Sequence, residues 1–362
     1  MSDFDGLLDG LDGPERSARL KLLERLRDDG CTIEEMREAA AAGRLPLLPV
    51  ERLLARRRTY TMREGERAAD FPPGFVERNH RSIGLPVPEP DEPVYDDDQV
   101  ENLKTLLAMM QAGLPEDDLH LLGRILGQSS RRFAEAIVEV LSRALAQPGD
   151  TESDVALRMA DFAEAMLPML PRLTGAVMRL HLLDVVQNEA VAGLEGDVAG
   201  ARDVTVAFAD LAGFTALSDE ADIAELGRVA GRFKELLTGV VVQPVRLVKV
   251  LGDGAMLVSA DADALVSAMV DLVAAAAEAG ELPPVHAGVA YGPVLHSVGD
   301  WLGRTVNVAA RLCAAAPPGA VLATPQVREA ADGAVEWEDA GAFALRGIGQ
   351  PVRALRARRP PA

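Results

Sequence analysis

The sequence predicts an α+β protein: an N-terminal all-α domain followed by a ferredoxin-like α+β domain. From residue 14 to about 190, apolar residues recur at helical spacing. From Val204 onward, short Val-rich runs alternate with helical segments. The order strand, helix, hairpin, helix, strand is that of a ferredoxin-like core.

Residues 1–13 are rich in Gly and Asp and read as loose. Leu20, Leu23 and Leu26 place a helix over Pro14–Asp29. Thr32 and Glu35 form a capping-box pattern ahead of a second helix that stops at Gly43. A third helix covers Val50–Arg57, and residues 58–96, broken by repeated prolines, read as irregular. Helices are then expected at Asp97–Ala112, Asp117–Leu126, Ser130–Ala146 and Glu152–Met169. A long helix, Arg172–Ala192, leads to GLEGDVAG, residues 193–200, a flexible joint. The expected division is therefore 1–171, 172–200 and 201–362. In the last part we expect strands at Val204–Phe208, Val285–Tyr291, Ala320–Thr324 and Val352–Leu355 and a hairpin over Val245–Val258. Helices fall at Ile223–Val240, Ala262–Ala279 and Thr305–Ala315.

The 37 basic and 56 acidic residues give a net charge of −19, which argues against a general nucleic-acid binder. Two cysteines, Cys31 and Cys313, make no disulfide framework and fit a reducing cytoplasm. The acidic N-terminus lacks a signal-peptide pattern, and no apolar run of about 20 residues predicts a membrane span. The helical block holds no nucleophile–base set, metal-ligand spacing or phosphate loop, so its plain reading is a bundle that packs against or regulates something.

Chemistry concentrates in three stretches. VTVAFADLAGFTALS, from Val204, delivers Asp210 to a strand end ahead of a small-residue turn and a helix. A carboxylate there suits a hard cation, Gly213 permits close backbone approach, and the opening N–H groups of the helix suit a phosphate. VRLVKVLGDGAMLV, from Val245, puts Lys249 before a Gly-Asp-Gly turn and Asp253 within it. Singly, Asp210 and Asp253 read as ordinary turn residues. Together, two acids ending adjacent strands favour a shared Mg²⁺ or Mn²⁺ over zinc, for which no Cys/His cluster exists. Lys249 reads either as a protective edge charge or, between Val248 and Val250, as a donor aimed into a cleft. DWLGRTVNVAARL, from Asp300, places Asp300 before a turn and Asn307 and Arg311 on one helix face. The planar Arg311 fork suits a phosphoryl oxygen; the alternatives are a turn acid, a cap and a surface charge.

Three motifs in this order resemble the class III nucleotidyl cyclases, over about residues 200–357. The resemblance implies a class III cyclase domain with two divalent cations per site, held at Asp210, Leu211 and Asp253. It implies that Lys249 and Asp300 read adenine, that Gly213, Phe214, Thr215 and Arg346 meet the triphosphate, and that Asn307 and Arg311 orient the ribose and stabilise the transition state. It further implies a homodimer with composite sites. A lysine donor and aspartate acceptor match adenine, whereas guanine needs the reverse polarity. The alternatives are a guanylate cyclase or a catalytically silent nucleotide-binding module.

The helical block, with its break GLPVPEPDEPVY and acidic helix start at Asp96, resembles the regulatory domain of actinobacterial pH-sensing adenylyl cyclases. That implies control through a linker helix and a regulatory domain that a fatty acid can occupy. His181, in that helix, is either a pH sensor or an ordinary solvent-facing histidine. Met109, Met110, Met159, Met166, Met169 and Met178 line a lipid pocket or fill a helical core.

Overall fold

The computed structural model describes residues 4, 6–55, 58–188, 201–297, 300–333 and 335–360. The expected joint, residues 193–200, lies outside them. The chain divides into two compact units, Met1–Arg179 and Leu180–Ala362.

The first unit is helical: α1 Gly13–Asp28, α2 Ile33–Ala41, a 3₁₀ turn Leu45–Leu47, α3 Leu48–Ala55, α4 Met62–Ala68, α5 Phe75–Ser82, α6 Asp97–Gln111, α7 Glu116–Leu145 and α8 Glu152–Met166. Helix α9, Leu170–Asn188, crosses the division between units. The Thr32–Glu35 capping box forms with both of its hydrogen bonds. The same device opens α4 at Thr61–Glu64, α6 at Asp96–Gln99 and α8 at Thr151–Asp154, satisfying N–H groups that a helix start leaves open.

Two expectations are corrected here. Residues 58–96 contain helices α4 and α5, and the carboxylate of buried Glu66 accepts from the N–H groups of Gly74 and Val76 at the start of α5. The two helices expected over Asp117–Ala146 are one, α7. Gly127 does not break it: a Cβ there would lie 2.2 Å from the Ile83 carbonyl oxygen, so the glycine admits the α5 chain against the helix. The core divides into a cluster around Leu22, Leu23, Leu26 and Met36 and another around Phe71, Phe75 and Val76. None of the six methionines is buried, and His181 is exposed on α9.

The second unit runs β1 Ala201–Leu211, α10 Phe214–Glu220, α11 Ile223–Val240, β2 Arg246–Leu251, β3 Gly254–Ser259, α12 Ala262–Ala279, β4 Val285–Ser297, β5 Asp300–Leu302, α13 Arg304–Ala315, β6 Val321–Ala323, α14 Pro325–Ala330, β7 Glu336–Phe343 and β8 Val352–Arg358. The bounds of α11 and α12 are those their amphipathic patterns predict. Strands β5 and β6 and helix α14 are short, and β7 is mostly exposed, so periodicity marks them weakly.

The sheet order is β2-β3-β1-β4-β6-β8-β7, with β5 paired to β4. Alternation along the strands divides the core in two. Ala207, Ala209 and Leu211 of β1 and Val285, Ala287 and Val289 of β4 meet α11 and α12. Val204, Val206, Ala290 and Val294 meet Val308, Ala309 and Leu312 of α13 on the other face. Among the described residues, no helix is long and apolar enough to cross a membrane.

Candidate active site

Strand β1 lies between β3 and β4, and its period of two puts Asp210 on the α13 face of the sheet. The Asp210 side chain is 42% exposed. Its cross-strand partners are Gly254 of β3 and His286 of β4. Gly254 leaves room for it, because a Cβ there would sit 3.0 Å from Asp210 Oδ1. Asp253 occupies the adjoining β2–β3 turn, where its carbonyl accepts from the Leu211 N–H at 3.3 Å. Gly252, at φ +68°, supplies the left-handed conformation that the turn needs.

These two acids work against each other. Burial first, and then the negative charge of Asp210, raise the Asp253 carboxyl above its ordinary value. A cation relieves that cost, and both donors are hard oxygens. No group of three or more His, Cys, Asp or Glu side chains placed to hold a metal occurs among the described residues. The remaining positions around an ion would fall to phosphate oxygens and water, as is usual for Mg²⁺.

His286 is the residue that sequence reasoning missed. Its Nε2 lies 3.9 Å from Asp210 Oδ2, and its Nδ1 lies 2.8 Å from the Ala316 carbonyl oxygen. The Asp210 carboxylate, opposed by burial and aided by the Ala316 carbonyl, raises its basicity. The β1–β4 register brings it to Asp210; no local motif announces it.

Lys249 owes its direction to the hairpin register. Leu247 pairs with Leu257, but the register then slips so that Lys249, not Val248, stands opposite Met256. Met256 belongs to the α13-face core and Leu257 to the other. Counted from the turn, Leu251, Val250 and Lys249 pair in unbroken order with Gly254, Ala255 and Met256, so Lys249 lies on the face that carries Asp210 and the slip falls beyond it. There its ammonium donates to both Asp300 oxygens at 2.7 Å. Burial disfavours the Asp300 charge, but Lys249, the Trp301 N–H and His296 outweigh it and hold the carboxyl below its usual range. The pair is a donor beside an acceptor, the polarity an adenine edge requires. Trp301 is buried in the core beneath the Arg202 guanidinium, 4.6 Å from its ring centroid, so it packs and does not stack on a base.

Asn307 and Arg311 project from the exposed side of α13, opposite its buried Val308, Ala309 and Leu312. Among the described residues, neither side chain has a hydrogen-bond or ion-pair partner. Leu211 is buried, with its N–H donating to the Asp253 carbonyl. Gly213 is the left-handed cap of α10, Phe214 packs on the core, and Thr215 lies in the first turn of that helix. Arg346 is exposed in a turn between β7 and β8. Both cysteines are free and buried; burial raises the Cys31 thiol and pushes Cys313 up to about 12, so neither is a nucleophile near neutral pH.

Residues 1–186 match the adenylate cyclase regulatory domain, and residues 197–354 match the adenylate and guanylate cyclase catalytic domain. A pH-sensitive adenylate cyclase of Mycobacterium tuberculosis is 35% identical over 99% of this chain and 92% of its own length. An adenylate cyclase of Streptomyces coelicolor is 30% identical over 75% of this chain and 71% of its own length. With carboxylates, lysine and helix arranged as above, and both domains matched in order, the chain belongs to the class III adenylate cyclases that carry an N-terminal regulatory domain.

Proposed function

We propose that the chain converts ATP to 3′,5′-cyclic AMP and pyrophosphate in a homodimer whose sites are shared between subunits. One contrast carries this reading. Asp210 and Asp253 converge at one end of the sheet, while the Asn307 and Arg311 side chains face solvent with no partner among the described residues. A second copy related by a two-fold axis would bring the two halves together twice.

Two divalent cations, Mg²⁺ or Mn²⁺, would be held by Asp210, Asp253 and the main chain at Leu211. When bound, they acidify the ribose 3′-hydroxyl and stabilise charge at the α-phosphate. Lys249 donates to adenine N1 and Asp300 accepts from the adenine amino group; the pair satisfies itself at 2.7 Å until the base arrives. Asn307 aligns the ribose for in-line attack. Arg311 meets the charge that grows on the transferring phosphoryl group. Gly213, Phe214 and Thr215 offer main-chain N–H groups near the phosphates, with Arg346 as a further cation.

Identification of the product from ATP or GTP with Mn²⁺ tests the reaction; cyclic GMP as the main product refutes the base assignment. Mixing Asp210→Ala with Arg311→Ala chains tests the shared site. One site of the mixed dimer is then intact, so activity returns in part. No recovery, with heterodimers shown to be present, refutes it.

We further assign residues 1–171 to regulation and 172–200 to the linker, with 201–362 as the catalytic domain. The distal part of α9 supports this: within the second unit, Asp184 accepts from Gln243 Nε2 at 3.3 Å and lies 3.8 Å from Arg246, at the start of the strand that bears Lys249. The full chain is expected to respond to pH more steeply than residues 200–362, with more activity in acid; matching profiles refute control by the N-terminal unit. His181→Ala tests that residue. A fatty acid, if held, has a groove of about 640 Å³ in the first unit, lined in part by Ile83, Leu85, Val94, Leu103 and Leu106. Free buried thiols suit the cytoplasm.

A further inference from the structure

Helix α13 is fastened to β4 along its length. At its start, Thr305 Oγ1 donates to the Pro293 carbonyl at 2.9 Å. In its second half the helix backbone rests directly on Gly288, where a Cβ would lie 2.1 Å from Cys313 N and 2.4 Å from Ala309 O. At its end, His286 Nδ1 meets the carbonyl of Ala316, the closing residue, at 2.8 Å. A carbonyl only accepts, so Nδ1 carries the hydrogen of that bond. The opposite edge of the same imidazole faces Asp210, its neighbour across the strand pair. The ring is 12% exposed, so it has little freedom to leave either partner. None of the roles assigned above uses it.

We propose that His286 is a positioning residue that ties the metal half of the site to the ribose half. It steers the Asp210 carboxylate on β1 and anchors the C-terminal end of α13, whose outer face bears Asn307 and Arg311. One consequence rests on the shared-site reading. A chain gives its Asp210 to one site and its Arg311 to the other, so His286 links the two sites of the dimer through a single side chain.

Two substitutions separate its contacts. His286→Asn keeps a donor where Nδ1 stands and gives up Asp210. His286→Gln keeps a polar group where Nε2 stands and gives up Ala316. Hydrogen exchange on the full chain, without metal or nucleotide, reads the anchor directly. His286→Gln is expected to speed exchange in the last turn of α13 about fivefold, the ordinary net worth of one hydrogen bond, while His286→Asn leaves it nearly unchanged. The deciding variant is Asp210→Asn, at a half-exposed side chain with no hydrogen bond to α13. It too should speed exchange there, because the ring loses its second partner. Unchanged exchange in Asp210→Asn overturns the tie and leaves His286 a local brace, and this variant decides even if a His286 variant fails to fold.

Mixed dimers read the link between sites. The parent mixture of Asp210→Ala and Arg311→Ala tests the shared-site reading itself; without recovery there, that reading and the link between sites fall, while the exchange result stands separately. Given recovery, His286→Gln in the Asp210→Ala chain should lower kcat, and His286→Asn in the Arg311→Ala chain should raise the Mn²⁺ midpoint. An effect of His286 variants in only one of the two chains overturns the link.

Discussion

Gly288→Ala adds one methyl group where β4 meets the backbone of α13. The new Cβ would lie 2.1 Å from Cys313 N, 2.4 Å from Ala309 O and 2.7 Å from Leu312 C. All three are main-chain atoms, so no side chain can rotate to make room. Carbon contacts are comfortable at about 3.5 Å, so the helix must retreat by roughly 1 Å or more. Overpacking of this kind costs about 1–3 kcal/mol, which lowers the melting temperature of the cyclase unit by roughly 3–10 °C. Activity should suffer more, because α13 carries Asn307 and Arg311 away from their working position. A displacement of about 1 Å costs about 100-fold in turnover. The assay is ATP turnover with saturating Mn²⁺, at a temperature where near-ultraviolet circular dichroism shows both proteins folded. A kcat within threefold of the parent would refute the claim that this contact sets the position of α13. A loss that only tracks the unfolded fraction would refute it equally.

Asp253→Ala should abolish turnover while far-ultraviolet circular dichroism and melting stay close to the parent, because the residue lies in the hairpin turn and not in a core. Near-normal activity would sink the two-cation assignment. Lys249→Ala with Asp300→Ala should weaken use of ATP relative to GTP by about 1–3 kcal/mol in kcat/KM, and an unchanged ratio would remove the pair from base recognition. Burial holds the His80 imidazole below its ordinary value of about 6.5, with Nδ1 3.1 Å from the Tyr95 hydroxyl, which burial and Glu66 raise to about 12. The unfolded chain therefore takes up a proton that the folded one resists. This contribution is complete above pH about 6.5 and is lost as pH falls towards the lowered folded value. Urea melts of the first unit should show this slope, and His80→Gln should flatten it.

Much of the second unit was legible because its candidate site residues sit at strand ends and turns, where sequence and position correspond. Periodicity and turn signals place Asp210 and Asp253 at the ends of adjacent strands and Asn307 and Arg311 on one helix face, while the roles expected of them come from the family resemblance. Helices α4 and α5 hid behind charges and prolines, although Thr61 and Glu64 wrote a capping box in plain sight. The gap expected between Leu126 and Ser130 does not exist, because Gly127 lets the Ile83 backbone lie against one continuous helix. His286 stayed invisible for a deeper reason: its partners, Asp210 and Ala316, lie 76 and 30 positions away in the chain, and only strand register joins them. The Lys249–Asp300 pair likewise depends on a strand register that no apolar pattern reports, since the residues around the lysine are apolar on both faces.

That register makes the residue count between Lys249 and the turn a functional quantity. Removing Val250 would bring the lysine opposite Ala255, on the side covered by α11 and α12 and away from Asp300. A relative with one residue fewer between its lysine and the Gly-Asp-Gly turn would then lack the base-reading amine, even with a lysine still in view. In this strand, spacing carries information that composition does not.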